Sequence, residues 1–157
     1  MRIDIQGWQL EVDMKATTSC AQTELLNRCT CGYCRNFYAS ADGVYPNLRP
    51  FLKQFGLELE APGELMPFEP PTCCEVTFPV CGTVMKRGNA PIEVDGLTIS
   101  VELEGDFPHS YPQPNFYLNV GTMELPWVLA EPMEEVVSTA NDPAFMEKMV
   151  NKLLERL

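Results

Sequence analysis

The chain predicts an α+β fold: a mostly antiparallel sheet of about five strands, a helical N-terminal insertion and one C-terminal helix. Three observations carry this expectation. Leu97, Ile99, Val101 and Leu103 alternate with Thr98, Ser100, Glu102 and Glu104. One face of that segment is apolar and the other wet, as in an antiparallel sheet. Asp95-Gly96 separates it from Ile92-Glu93-Val94, and both turn residues accept positive φ, which favours a two-residue hairpin. Near the end, Asp142-Pro143 reads as a cap and first-turn proline. Phe145, Met146, Met149, Val150, Leu153, Leu154 and Leu157 then recur at helical spacing.

The remaining elements follow in order. Ile3 and Ile5, then Trp8, Leu10, Val12 and Met14, form a half-buried strand over 3–14. Its phase shifts at Gly7, through a bulge or a tight turn. Residues 15–30 are polar and Thr-rich, so a loop is expected, with a short helical piece over 23–27. Gly32 to Ala41 suits a helix that turns Phe37, and with it Cys34, inward. Asn47 can cap a second helix over 48–55, with Pro50 in its first turn and Gly56 as the stop. Leu48, Phe51, Leu52 and Phe55 make its core-facing stripe. Pro62, Pro67, Pro70 and Pro71 mark residues 61–72 as an irregular connection. Val76, Phe78 and Val80 suggest a strand, and so do Phe116, Leu118 and Val120. Residues 126–129 are apolar and of unassigned type. The whole reads as one domain, 1–157, with a cysteine-rich segment at 20–56, sheet at 3–14 and 74–129, and a closing helix at 142–157. That last helix docks on the sheet or, alternatively, on a second copy of the chain.

Composition narrows the function classes. With 22 acids against 11 bases the net charge is −11, which opposes binding to nucleic acid or to an anionic membrane. The first residues show no apolar leader, and no run approaches the ~20 apolar residues of a membrane span. A cytoplasmic protein with reduced thiols is expected, and its 7 cysteines, an odd number, do not close a disulfide framework.

Chemistry concentrates in Cys29-Thr30-Cys31-Gly32-Tyr33-Cys34, with Cys20 upstream. Cys31-x-x-Cys34 brackets a turn that brings two sulfurs together, and Cys29 and Cys20 complete a tetrahedral zinc set. Cys73, Cys74 and Cys81 are further candidates. The second C-x-x-C that would make a zinc ribbon is absent. Cys31-Gly32-Tyr33-Cys34 equally fits a thiol–disulfide centre, with Cys31 activated at a helix N-terminus and Cys34 resolving. Pro79 falls roughly where thioredoxin-like folds keep a cis-proline, but residues 20–30 are no apolar strand leading into the motif. The bland alternative is a set of reduced cysteines used as small hydrophobes. No acid lies between Glu24 and Asp42, whereas Arg28 and Arg35 flank the cysteines. Positive neighbours there would favour thiolates. His109 sits in a proline-rich loop beside Asp106, and a Cys–His nucleophilic pair is chemically conceivable.

Cys29-x-Cys31-x-x-Cys34-Arg35-Asn36-Phe37, then Phe51-Leu52-x-x-Phe55-Gly56 and Pro62-x-Glu64, resembles a family of small uncharacterised bacterial proteins. The likeness spans about residues 20–65. It implies no activity and carries over no catalytic residue, but it favours a structural or metal role for the cysteines. The sequence-based expectation is therefore a binding or interaction domain, rather than an enzyme, with Cys20, Cys29, Cys31 and Cys34 around a structural zinc. The alternative is an oxidoreductase using Cys31 and Cys34.

Overall fold

A computed structural model describes residues 1–68 and 72–133, together with 147, 150, 151, 154 and 155. The helix expected over 142–157 lies, those scattered positions apart, outside the described residues.

The first strand pair is a hairpin. β1 (Arg2–Ile5) and β2 (Trp8–Val12) pair antiparallel, because Gln6 and Gly7 turn the chain at φ 46° and 87°. Of the two alternatives for the phase shift at Gly7, the tight turn is the one formed. β2 ends at Val12 because Asp13 begins a helix, its side chain accepting the Ala16 amide at 3.0 Å.

That helix, α1 (Met14–Leu26), corrects the loop expected over 15–30. It is polar almost all round, and only Thr17 and Ala21 are buried. Apolar periodicity therefore could not reveal it; its cap, the buried Thr17 and Ala21, and the half-buried Met14, Ala16 and Cys20 hold it to the core. α2 (Gly32–Val44) continues past Ala41 through Asp42-Gly43. α3 (Leu48–Lys53) is followed by turns to Gly56, where φ is 79°. Asn47 makes no side-chain cap there. Its amide and side chain instead donate to the Asp95 carboxylate, each at 2.7 Å.

β3 (Glu64–Pro67) lies within the connection expected to be irregular. β4 (Cys73–Lys86), β5 (Ile92–Val94), β6 (Leu97–Glu102) and β7 (Asn115–Glu124) follow. Among the described residues the sheet is antiparallel and has 7 strands in the order β1-β2-β4-β7-β6-β5, with β3 beside β4. The α+β fold is as expected. The strand count rises because the first strand is a hairpin and β3 was hidden among prolines. Asp95 and Gly96 form the expected turn at φ 52° and 80°.

Register aligns the core. Val76 faces Val120, Val120 faces Ile99, and Ile99 faces Ile92. Phe37, Phe51, Leu52 and Phe55 from the helical segment join these residues in one buried cluster. The opposite rows carry Glu64, Thr77 and Asn119, polar yet less than a tenth exposed. Among the described residues no helix is long and apolar enough to cross a membrane.

Candidate metal centre

Cys29 lies in the short link between α1 and α2, Cys31 caps α2, and Cys34 stands in the first turn of that helix. An extended cap residue at Cys31, with φ −66° and ψ 163°, turns the chain into the helix. Its sulfur thereby comes beside that of Cys34. The three sulfurs lie within 4.8 Å of one another, an arrangement that can hold a metal ion. Cys29 and Cys31 are exposed, whereas Cys34 is buried.

Cys31 and Cys34 behave as a pair that keeps one proton on the inner sulfur. The Cys34 thiol hydrogen-bonds the Cys31 sulfur and lowers the Cys31 pKa to about 5. Burial works against this, while the Cys34 and Tyr33 amides and the Cys29 thiol reinforce it. Cys34 is pushed far above the ordinary thiol range, first by that same bond and then by burial and the charge on Cys31. A thiolate at a helix N-terminus, with a donor behind it, is both a nucleophile and a metal ligand.

The surroundings fix the segment. The Tyr38 hydroxyl donates to the Cys29 carbonyl at 2.9 Å, and the Arg28 guanidinium lies 4.8 Å from the Tyr38 ring centroid. Burial, then the charges of Cys34 and Cys29, raise the Tyr38 pKa. Arg35 donates to the Thr30 carbonyl at 2.9 Å and makes a two-pronged pair with Glu131 at 2.8 and 2.6 Å. The flanking arginines are thus tied down by a ring, a carbonyl and a carboxylate. Tyr38 escaped sequence reasoning, although it follows Cys34 by four residues, the spacing that places two side chains on one helix face.

Cys20 does not join the cluster. It lies on α1 one turn after Thr17, the residue that holds β4, and its sulfur points to the Ser110 carbonyl at 3.7 Å, beside Cys81. Six residues of helix, about 9 Å of rise, separate it from the end of α1. The four-cysteine set expected from spacing required a flexible loop where a helix stands. Among the described residues only Cys29, Cys31 and Cys34 meet in this way.

Cys74 and Cys81 are buried, with pKa values pushed up to about 12 and about 11 chiefly by that burial. Cys73 and Cys74 are consecutive on β4 and so face opposite sides of the sheet. His109 sits among Phe107, Tyr111 and Tyr117. Its Nε2 lies 2.8 Å from the Tyr117 hydroxyl, and its Nδ1 accepts the Tyr111 amide at 3.1 Å. Burial lowers its pKa. Both nitrogens are engaged, so the conceivable Cys–His pair does not form.

The thioredoxin-like expectation for Pro79 also fails. The cis bond precedes Pro114, whereas Pro79 lies inside β4 opposite Tyr117. It occupies a stretch of β4 between the end of β3 pairing at Thr77 and the start of β2 pairing at Gly82. Cys81, two residues on, sends its amide to Thr17 on that open flank. Pro79 therefore lacks a donor where no strand asks for one.

No family model matches the chain, and neither a curated protein nor a solved structure does.

Proposed function

We propose that this protein binds a thiophilic metal ion, zinc in the first instance, through Cys29, Cys31 and Cys34, and that it acts as a binding domain. The observation that carries the reading is the approach of the three sulfurs to within 4.8 Å. Thiolate sets of this kind suit zinc and other soft cations. The burial of Cys34 beside the exposed Cys29 and Cys31, which fixes one sulfur and leaves two open to an incoming ion, supports it. The net charge of −11 favours cationic over polyanionic partners. Protein purified without a metal-affinity tag should carry about one zinc per chain by elemental analysis. Cys29→Ser, Cys31→Ser and Cys34→Ser should each lose most of it, and Cys20→Ser should retain it. Metal-free protein, or zinc content indifferent to Cys31→Ser, would sink the reading.

One observation favours a second function, that of a dithiol reductant: the exposed Cys31 sulfur at the start of α2 lies within 4.8 Å of the buried Cys34 sulfur, and that neighbour lowers its pKa. Cys31 would attack a substrate disulfide and release one thiolate. Cys34 would then attack the mixed disulfide, leaving Cys31–Cys34 oxidised and the second substrate thiol free. Metal-free protein that reduces insulin disulfides, and stops doing so as Cys31→Ser, would select this function.

A further inference from the structure

Building on the metal-centre reading, we propose that the fourth coordination position belongs to an outside ligand, a small thiol that also bears a carboxylate. Cys29, Cys31 and Cys34 all line one cleft of about 450 Å³. Cys34 is buried while Cys29 and Cys31 are exposed, so the cluster opens on the cleft side. Among the described residues no fourth cysteine, histidine or carboxylate joins the three sulfurs. A tetrahedral ion held by three protein ligands keeps one position for water or a ligand. Three thiolates make that ion soft, and a soft ion favours sulfur as the incoming donor.

The walls narrow the rest of the ligand. Pro62, Leu65, Pro67 and Tyr38 line the cleft and suit a short carbon chain. Arg28 lines it as well, its guanidinium against the Tyr38 ring, and offers a cation to a carboxylate. Glu24 and Glu64 line it too and repel an anion, which leaves Arg28, the one cation among its described lining residues, as the partner for a carboxylate. On binding, the thiol gives its proton to solvent, a metal–sulfur bond forms and a metal–water bond breaks. No electrons are transferred.

The test uses the full chain loaded with cobalt(II), titrated with mercaptoacetate and separately with neutral 2-mercaptoethanol. The near-ultraviolet sulfur-to-cobalt band should grow by about a third as three thiolates become four. Mercaptoacetate should act at about fivefold lower concentration, the size of an exposed ion pair. Arg28→Ala should abolish that preference, and Arg28→Lys should keep it. A cobalt-loaded protein whose band neither thiol alters, or whose cobalt the thiols strip away, overturns the open position. Equal action of the two thiols overturns the role of Arg28. A chain that takes up no cobalt fails earlier, at the metal-centre reading itself.

Discussion

Cys31 and Cys34 have the same functional group and pKa values shifted in opposite directions, first by the hydrogen bond between their sulfurs and then, for Cys34, by burial. The lowered pKa of Cys31 means that its thiolate persists above about pH 5 and is lost only as pH falls through that value. Its alkylation by iodoacetamide should accordingly be nearly flat from pH ~6 to ~8, where an ordinary thiol would rise about tenfold per unit. Cys74 and Cys81, buried and held at about 12 and about 11, should label last. Peptide mapping after timed alkylation checks both expectations. A Cys31 rate that climbs steeply up to pH ~8.5 would show a normal thiol. The same shared proton predicts that metal uptake releases protons and strengthens as pH rises, since Cys34 must deprotonate to serve as a ligand.

At the scale of elements, α1 docks through few fully buried residues, and Thr17 is central to its hold on the sheet. Its hydroxyl accepts the Cys81 amide at 3.0 Å and is fully buried. This contact fills the flank of β4 that neither β3 nor β2 reaches. Thr17→Val keeps the shape and removes the acceptor, leaving a buried N–H without a partner. The expected cost is about 1–3 kcal/mol, with Thr17→Ser losing much less. Thermal unfolding of the two variants measures the difference. A valine variant as stable as the parent would mean that α1 is anchored by other contacts. α1 matters for the site because its end delivers Cys29, so a loosened α1 should also weaken metal retention.

At the scale of the whole molecule, the thiol cluster lies beside the core rather than within it. Val76, Phe78, Val80, Phe116, Leu118 and Val120 from the sheet, with Phe37, Leu52 and Phe55 from the helices, are buried independently of any ion. Small zinc domains unfold without metal because the ion supplies their folding energy. Here a chelator should remove the metal and leave the far-ultraviolet circular dichroism unchanged, with only a modest fall in Tm. Global unfolding on chelation would show that the cysteine segment, rather than the sheet, organises the fold.

The alternation at Leu97–Val101, the Asp95-Gly96 turn and the stripe from Leu48 to Phe55 were legible in the sequence, because period and turn chemistry are local properties. So was the cysteine cluster, since Cys31 and Cys34 are one helical turn apart in any fold that starts a helix there. α1 was not legible, because a helix with two buried residues leaves almost no periodic trace. β3 was hidden by prolines that an edge position tolerates. Membership of the site followed from these. By itself the sequence determined three sulfurs within six residues. Only the tertiary structure decided that Cys20 leaves them, carried by α1 to Ser110 and Cys81, and that the proline-rich connection supplies the cleft wall opposite. The reason is physical: close spacing constrains side chains within one turn, whereas distant residues meet only where packing of the core puts them.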